Sequence, residues 1–465
     1  MRTTADQLAE ILDHWQSGTG PLYQQLANAI VSLAEVGSLE YGTRLPSERA
    51  LAERLHLSRN TVTAAYQQLR DEEWLDVRPG AAPTLGSRSR GLDGMSAQER
   101  FAKILPGEKA PIVGLASACP PAAPVVLDAL KDPSAILEGA VLVGNGYATL
   151  GDPDLVAAIV DHLRAEGISA RPDEIVVTSG GQQAVWLAVT AVAGPSAPVA
   201  VEAVTYPGVF DAITAAGSRT LALPMATDGL DAAASAKLIR AARPDVAYLT
   251  TFQNPTGTAM DEESAQLFMD VVAETCTTVI DDRIMGDLAL TGNKPRALAT
   301  YNPEASVITI GGLSKTFWGG MRIGWLHTNA TLAAQLRHRK AAMDLGSPAF
   351  FQKLATSFVR DHYADVVTWR IAQMRLSLQA AIEALAEHAP EWEYGMPQGG
   401  ASLWVKVPGV NESRFAERAA AAGVPVAPGS AFEVLPGAGA GRFRLPFYLP
   451  PEDMQLGIKI LATAA

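Results

Sequence analysis

Cysteine, positive net charge and long apolar runs are all scarce in this sequence. Only two cysteines occur in 465 residues, Cys119 and Cys276. Their isolated positions exclude a disulfide framework and a multi-cysteine zinc site, and we expect two buried thiols in a reducing compartment. The formal net charge is −12. A general polyanion-binding surface is therefore excluded, and any contact with nucleic acid has to come from a local patch.

The sequence also lacks the features that mark membrane insertion or export. No stretch of about 18 consecutive apolar residues occurs, and the first residues lack the basic start and apolar run of a signal peptide. We therefore expect no membrane contact and a cytoplasmic location. Hydrophobic residues are abundant, at 48% against 18% charged. Together with the length, this predicts a large core shared by more than one domain.

Composition divides the chain into three predicted regions. Residues 1–85 contain helical segments and a Pro-Gly turn, and residues 86–110 form a predicted linker that mixes Gly, Ser, Pro and charges. From residue 111 onwards, compact apolar runs alternate with helical stretches. This alternation predicts an α/β domain with a mostly parallel sheet and helices on both faces. We expect a large part at about 111–345 and a small α+β part at about 346–465.

Five of the apolar runs have the length and the flanking turn residues of strands buried on both faces. These predicted strands lie at residues 175–178, 199–201, 246–250, 278–280 and 307–310. The small part is predicted to contain a helix at 368–388 and a strand at 401–407.

The N-terminal region predicts two helices joined by a short turn. Ser47 and Ser58 can each cap a helix start through the side-chain oxygen. The second helix places four apolar residues on one face, at i, i+3, i+4 and i+7: Val62, Ala65, Tyr66 and Leu69. Residues 74–80 predict a strand and a tight turn, with a return strand at 84–85.

The opposite face of the second helix carries polar side chains suited to DNA: Arg59, Asn60, Thr61 and Thr63. Arginine can pair with guanine and asparagine with adenine in the major groove. Residues 44–70 contain five arginines and two glutamates, a local net charge of +3 in an acidic chain. Spacing alone leaves an amphipathic helical pair used for dimerisation equally open.

The stretch between residues 21 and 69, including Leu-Pro-Ser-x-Arg and Ser-Arg-Asn-Thr-Val, resembles the GntR family of winged-helix repressors. The resemblance implies a winged helix-turn-helix domain that binds DNA. It implies base or backbone contacts by Arg49, Ser58, Arg59, Asn60 and Thr61, a phosphate contact by Arg44 and a wing tip at Gly80.

Two motifs of the C-terminal region follow predicted strands and are weak signals by themselves. Thr178-Ser179-Gly180-Gly181-Gln182 opens a helix, where free backbone N–H groups can bind phosphate, although many α/β proteins have such a turn. In Gln253-Asn254-Pro255-Thr256-Gly257, the Asn254 amide can donate to a phenolate oxygen. An ordinary Asx-Pro turn is the alternative.

Two further motifs add reactive groups. Asp281-Asp282 ends an apolar strand, where a carboxylate can keep a pyridine nitrogen protonated or can be a solvated loop acid. Lys315 follows the last predicted strand, and Arg322 lies seven residues later in a Gly-rich turn. Lysine can form a Schiff base with an aldehyde, and arginine can clamp a phosphate.

The order and spacing of these motifs resemble fold-type I pyridoxal-phosphate enzymes of the aminotransferase class I/II family, over residues 111–465. The resemblance implies that Lys315 forms the Schiff base, Asp282 pairs with the pyridine nitrogen and Asn254 contacts the ring hydroxyl. It implies that Tyr206 stacks on the ring and that Arg444 binds a substrate carboxylate. The remaining cofactor-binding residues that it implies are Ser179, Gly180, Gly181, Gln182, Ser314, Arg322 and, across a dimer interface, Tyr147.

Two positions depart from the family pattern. Ile284 and Met285 stand where the family usually has a tyrosine that donates to the ring oxygen, and Gly312 replaces a common serine. The first departure predicts poor transamination with cofactor binding retained. If the alignment slips by one residue, Asp281 takes the place of Asp282.

A GntR-like head followed by an aminotransferase-like body resembles the MocR family of transcription regulators. The resemblance implies a domain-swapped homodimer that binds operator DNA and responds to pyridoxal phosphate or to an amino compound reacting with it. Pyridoxal phosphate itself as the effector is one version of this interpretation. The alternative is a working aminotransferase with a vestigial head. No metal is expected.

Overall fold

The computed structural model describes residues 3–12, 15, 21–35, 39, 43–71, 74–76, 83–85, 110–131, 133–134, 136, 146–226, 229–435 and 437–465. Gly80 and almost all of the predicted linker lie outside these ranges. Within them, no helix combines the length and apolar character needed to cross a bilayer. The chain forms two compact units, Met1–Ser96 and Ala97–Ala465. The domain boundaries predicted at 85 and 111 stay predictions.

The first unit, the head, consists of helices and a two-stranded wing. Its elements are α1 (Ala5–Ile11), α2 (Leu22–Glu35), α3 (Glu48–Leu55), α4 (Arg59–Asp71), β1 (Leu75–Asp76) and β2 (Thr84–Leu85). The antiparallel pairing of β1 with β2 confirms the predicted return strand. Ser47 Oγ accepts from the Ala50 N–H and Ser58 Oγ from the Thr61 N–H, so both predicted caps are confirmed.

The core of the head lies along the apolar face of α4. The four residues predicted to face it are fully buried: Val62, Ala65, Tyr66 and Leu69. The Tyr66 hydroxyl donates to the carbonyl of Pro46, which satisfies the one polar atom on this face. Helix α1 was not predicted from the sequence. It adds Leu8 to the same core, and Leu12 follows directly after it.

The second unit, the body, is built on a seven-stranded sheet. The strands of the unit are β3 (Ile175–Thr178), β4 (Pro198–Glu202), β5 (Arg219–Leu223), β6 (Met225–Ala226), β7 (Gly229–Leu230), β8 (Val246–Thr250), β9 (Thr278–Asp282), β10 (Val307–Gly312), β11 (Gly324–His327), β12 (Glu393–Tyr394), β13 (Ser402–Lys406), β14 (Ala427–Pro428) and β15 (Arg442–Pro446). The sheet order is β3-β11-β10-β9-β8-β4-β5. Strand β11 is antiparallel to both neighbours and the other pairs are parallel. The mostly parallel sheet and its five predicted strands are confirmed, whereas β5 and β11 were not predicted.

Helices cover both faces of this sheet. The helices of the body are α5 (Pro124–Lys131), α6 (Pro153–Ala165), α7 (Gly181–Val192), α8 (Gly208–Ala215), α9 (Ala232–Ala242), α10 (Glu262–Thr275), α11 (Ala330–Asp344), α12 (Ala349–Ser357), α13 (Tyr363–His388), α14 (Glu412–Ala421) and α15 (Pro451–Ala464). Helices α6, α9 and α10 pack on one face, and α7 packs on the other. The layered α/β arrangement is therefore confirmed.

A smaller antiparallel sheet of order β12-β13-β15-β14 forms the C-terminal part, together with α13 and α15. Packing does not follow chain order across residue 345. Val113 and Leu115 belong to the core of the small sheet, whereas Leu354 and Phe358 pack in the core of the large sheet. The predicted subdivision at 345 stays a prediction.

The expectation of two buried thiols is wrong, because both cysteines are exposed. Cys276 ends α10 in a left-handed conformation with φ 58°, which places it at the surface turn. Cys119 lines a cavity of the body.

Candidate functional site

Loops that follow five strands of the large sheet meet at one cavity of about 440 Å³. These loops follow β3, β4, β8, β9 and β10 at their carboxyl ends, where open parallel sheets bind ligands. Nine of the predicted site residues line the cavity: Gly181, Gln182, Tyr206, Asn254, Asp282, Ser314, Lys315, Arg322 and Arg444.

The two adjacent aspartates at the end of β9 point to opposite faces of the sheet. Asp282 lines the cavity, whereas Asp281 accepts from the Leu298 N–H and lies 3.8 Å from the Arg283 guanidinium. The geometry therefore favours Asp282 over Asp281 as the carboxylate of the site. Burial raises the pKa of Asp282 to about 6, and hydrogen bonds from the Tyr248 hydroxyl and the Ile284 N–H oppose this rise.

Lys315 presents its amine to the same cavity. Its Nζ donates to the carbonyl of Ala118 at 2.7 Å. Burial lowers the pKa of Lys315 because it penalises the charged ammonium, and the nearby Arg444 guanidinium acts in the same direction. A lower pKa increases the fraction of neutral amine, which is the form that attacks an aldehyde.

An anion cradle lies beside the start of α7. Gly180 precedes this helix with φ 98°, and Gly181 is its first residue. A side-chain carbon added to Gly180 would lie 3.2 Å from the Arg322 guanidinium. The absence of a side chain at Gly180 therefore leaves space for the guanidinium. Arg322 itself adopts a left-handed conformation with φ 48°, a strained state that often marks a functional site. The free N–H groups of the helix start and the guanidinium together suit a phosphate.

For three of the predicted cofactor-binding residues, the structure does not show a side-chain group that is directed at the cofactor. The structure does not bring the Ser179 side chain into the cavity: its hydroxyl faces Asp344 and Ser347, and its N–H donates to Gln183. Gln182 uses its side chain within the protein, where Nε2 donates to the Gly208 carbonyl and Oε1 accepts from the Tyr206 hydroxyl at 2.8 Å. It thereby fixes the Tyr206 ring at the wall of the cavity. Tyr147 is 65% exposed, and its role across a dimer interface stays a prediction.

The two departures from the family pattern are in contact. A side-chain carbon added to Gly312 would lie 3.0 Å from Ile284 Cδ1, and one added to Gly181 would lie 2.8 Å from the same atom. Ile284 therefore fills the space between the start of α7 and the end of β10. A serine at 312 would require Ile284 to move.

Arg444 provides a second cation in the lining of the cavity. Its side chain is buried, Nη2 donates to the Ala116 carbonyl at 2.8 Å, and the guanidinium lies 4.9 Å from the centre of the Phe432 ring. Burial lowers its pKa to about 10. Nε is buried without a hydrogen-bond partner among the described residues, which leaves a donor for an anionic ligand group.

The start of α4 forms the candidate nucleic-acid interface of the head. The exposed predicted residues are Arg44, Arg49, Ser58, Arg59 and Asn60. Thr61 is half-buried and shares a hydrogen bond with the Ser58 hydroxyl. Thr63 departs from the prediction of a free polar face, because its hydroxyl donates to Glu48 at 2.8 Å. The DNA contacts themselves stay predictions, and that of Gly80 lies outside the described residues.

Among the residues that sequence reasoning missed are Cys119, Phe252 and Tyr248. Cys119 and Phe252 line the cavity, and Tyr248 donates to Asp282 from the middle of β8. Tyr248 had a readable signal: a tyrosine in a strand buried on both faces needs a partner for its hydroxyl. The cavity positions of Cys119 and Phe252 depend on how separate loops meet, which spacing does not reveal.

The donor set fits a phosphorylated pyridine aldehyde. Lys315 supplies an amine, Asp282 a carboxylate, and Asn254 an amide around one space. Arg322 and Gly180 form a cradle that any side chain on the glycine would fill. The unpartnered Nε of Arg444 adds a place for a further anionic group.

Comparison with known proteins gives the same division of the chain. Residues 113–461 match the family Aminotransferase class I and II, and residues 22–83 match Bacterial regulatory proteins, gntR family. The uncharacterized HTH-type transcriptional regulator YisV of Bacillus subtilis (strain 168) is 25% identical over 481 residues and covers 98% of each chain. The HTH-type transcriptional regulator TauR of Rhodobacter capsulatus is 26% identical over 443 residues, covering 89% of this chain and 90% of the relative.

Solved structures resemble the body. The crystal structure of the α-aminoadipate aminotransferase LysN from Thermus thermophilus, complexed with N-(5'-phosphopyridoxyl)-L-leucine, has a TM-score of 0.71 and 25% identity. The matched region covers 80% of this chain and 97% of the LysN chain. These matches confirm the fold-type I body and the GntR-type head. The chain belongs to the aminotransferase class I and II family and, with its gntR-family head, to the MocR family of transcription regulators.

Proposed function

We propose that this protein is a transcription regulator that binds operator DNA through α4 and pyridoxal phosphate in the cavity of the body. The observation that carries the proposal is the convergence of Lys315, Asp282 and Arg322 on one cavity. The same chain exposes Arg59 and Asn60 at the start of the second helix of a helix-turn-helix.

Each residue of the cavity has a distinct task in this proposal. Pyridoxal phosphate, when bound, supplies an aldehyde that condenses with a primary amine and a ring that withdraws electrons from it. Lys315 provides the amine of the protein, and Arg322 with the start of α7 holds the phosphate. Asp282 faces the ring nitrogen. Tyr206, held by Gln182, covers one side of the ring.

The signal that we propose is pyridoxal phosphate or an amino compound that competes with Lys315 for it. The buried, unpartnered Nε of Arg444 supports a compound that carries a carboxylate or similar anion next to its amine. Such a ligand can regulate only if the DNA-binding and non-binding states hold it with different affinities.

We further propose that the working protein is a domain-swapped homodimer located in the cytoplasm. Helix-turn-helix regulators commonly bind two half-sites through a symmetric dimer. Tyr147, which is 65% exposed, is the residue that we propose to reach the second subunit. A head that binds operator DNA has to work in the compartment that holds the genome.

Absorbance spectroscopy and selection of bound duplexes test the proposal. The full chain is expected to gain a Schiff-base band near the visible edge when pyridoxal phosphate is added, and Lys315→Ala is expected to lose it. Lys406→Ala is the matched control, because Lys406 pairs with Glu393 at the surface. The wild type should also enrich one sequence from a random DNA pool. A wild type that stays colourless at saturating pyridoxal phosphate would refute the cofactor assignment.

A working aminotransferase with a vestigial head is the second candidate. The retained Lys315 and the open donor of Arg444 favour it, since both are what an amino-acid substrate needs. Failure of the head to select any duplex, combined with sustained turnover, would support this candidate.

A further inference from the structure

Tyr248 has no part in the motifs, yet it makes a short hydrogen bond to Asp282. It lies in the middle of β8 with no exposed surface, and its hydroxyl donates to Asp282 Oδ2 at 2.6 Å. The other carboxylate oxygen, Oδ1, accepts from the Ile284 N–H at 3.1 Å. Both oxygens of Asp282 therefore have fixed donors, and its carboxylate is held in one orientation.

The strand register shows that this contact is specific. Tyr248 is paired with Ile280 across the β8–β9 ladder, and Thr250 is the residue opposite Asp282. The tyrosine therefore reaches along the strand to Asp282 rather than meeting it as its direct neighbour. Both side chains lie on the sheet face that carries the cavity, and Asp281 lies on the other.

We propose that Tyr248 is a positioning residue of the cofactor site: its hydroxyl orients Asp282 and keeps it ionised, so that a carboxylate and not a carboxylic acid faces the ring nitrogen. The inference rests on the proposed binding of pyridoxal phosphate. It concerns a residue that does not line the cavity and that acts only through Asp282.

The electrostatics of the surroundings make such a donor necessary. Asp282 is buried, which raises its pKa to about 6 and favours the protonated acid, and the neighbouring Asp281 adds to the rise. The Tyr248 hydrogen bond is the largest opposing contribution, ahead of the Ile284 N–H and of Lys315. Tyr206 and Glu202 are the other titratable groups near the pair.

Tyr248 itself remains a donor throughout the working pH range. Burial and the Asp282 charge raise its pKa well above the ordinary value of 10.0, so it does not ionise. Without its hydroxyl, the buried Asp282 would take up a proton more readily. The ring nitrogen would then face a neutral acid and lose the charge that stabilises its own proton.

Replacing Tyr248 with phenylalanine tests the inference, and Tyr363→Phe is a matched control. Tyr363 is partly buried and also donates to a carboxylate at 2.6 Å, but its partner Asp287 does not line the cavity. Each full-length protein is loaded with pyridoxal phosphate labelled with nitrogen-15 in the ring. The ring-nitrogen chemical shift is then followed against pH, and the dissociation constant of the cofactor is measured by titration.

We expect the shift of Tyr248→Phe to move towards the unprotonated ring at neutral pH, while Tyr363→Phe keeps the wild-type shift. The cofactor dissociation constant of Tyr248→Phe should rise about tenfold or more, the loss typical of one hydrogen bond to a charged group. A wild-type ring-nitrogen titration in Tyr248→Phe would overturn the inference while leaving the proposed function intact. Absence of cofactor uptake by the wild type would overturn the proposed function and the inference with it.

A fluorinated tyrosine at position 248 provides a second test that preserves the side-chain shape. A difluorinated phenol is a stronger donor, so it should hold the ring nitrogen protonated to higher pH than the wild type does. A shift in the opposite direction, or none, would contradict the role of the hydroxyl even if the phenylalanine variant does not fold.

Discussion

Ile284 limits what the cavity can do for a bound ring. It fills the space against Gly181 and Gly312, so Asn254 is the only ring-oxygen partner that the motifs provide. An apolar side chain cannot donate to a developing negative charge on that oxygen. Ile284 thus departs from the family pattern at a position that would control the electronics of the ring. The groups for cofactor binding and Schiff-base formation are retained.

Arg59 is predicted to read the operator. Arg59→Ala should lose about 1–3 kcal/mol of discrimination between the selected duplex and a scrambled one, the cost of a good bidentate base contact. Arg59→Lys is the matched control: it keeps the charge but not the planar fork, so it should retain non-specific affinity and still lose discrimination. Competition binding at one fixed salt concentration measures both quantities. Equal discrimination in all three proteins would remove Arg59 from the readout set.

Glu202 predicts a pH-dependent stability. It is fully buried among the hydroxyls of Thr205 and Thr250, and burial raises its pKa from 4.5 to about 8. The folded state therefore binds this proton more tightly than the unfolded chain does. The resulting stability is complete below about pH 4.5 and is lost as the pH rises through 8.

Melting temperatures at pH 6 and pH 9, at equal cofactor saturation, measure this effect. The wild type should lose stability on the order of a few kcal/mol across this window beyond what Glu202→Gln loses, since glutamine does not ionise. Identical pH dependence in the two proteins would show that Glu202 does not hold a proton in the folded state.

The residues of the site were predictable from the sequence where a motif gives both the residue type and its place at a strand end. Lys315, Asp282 and Arg322 are such cases, and all three line the cavity. Ser179 was not, because its hydroxyl turns towards Asp344 and Ser347, which lie far along the chain. Spacing gives the position of a backbone atom, but the direction of a side chain depends on partners brought in by the fold.

At the scale of elements, the predicted strands share one property: each is a compact apolar run between turn residues. The two missed strands of the large sheet lack it. Strand β5 begins with Arg219 and Thr220, and β11 begins at Gly324, at the end of the Gly-rich stretch of the lysine motif. Helix α1 was missed because it is short, although Thr4 caps it through a reciprocal pair with Gln7. Strands whose residues contact a ligand or lie at a sheet edge therefore show the weakest hydrophobic pattern in the sequence.

The cap of α4 connects an element to DNA binding. Ser58→Ala should remove the hydrogen bond to the Thr61 N–H and cost about 0.5–2 kcal/mol of helix stability, with weaker DNA binding. Ser58→Asp should keep the cap, since aspartate is a good N-cap residue, but its negative charge should repel phosphates.

Amide hydrogen exchange of the full chain, with DNA binding in parallel, separates the two effects. Ser47→Ala is the matched control, because it removes the corresponding cap of α3. Exchange in α4 should increase in Ser58→Ala and stay at the wild-type level in Ser58→Asp. Unchanged DNA affinity in Ser58→Asp would place Ser58 away from the nucleic-acid backbone.

The chain consists of two units, and the sequence predicts both. Two relatives align with this chain over 98% and 90% of their own length. YisV covers 98% of this chain, and TauR covers 89%. The pairing of a DNA-binding head with a cofactor cavity is more informative than either unit, because many unrelated activities share each fold. The sequence could predict this pairing, since each unit carries its own motifs. It could not predict which states the ligand distinguishes, because motifs identify the binding groups and not the affinities of two states.

We predict that amino compounds change the DNA affinity of the protein without sustained turnover. Lys315 and Asp282 allow a slow half-reaction with an amino acid, but Ile284 leaves the ring oxygen without the usual donor. Steady turnover also needs proton transfer at the substrate carbon and release of a keto product, and a regulator gains nothing from either. Stopped-flow spectra with a panel of amino acids, followed by a coupled assay for keto acid, measure this, with Lys315→Ala as the baseline. Multiple turnovers at ordinary enzyme rates, on the order of 1–1000 per second, would instead identify the body as a working aminotransferase.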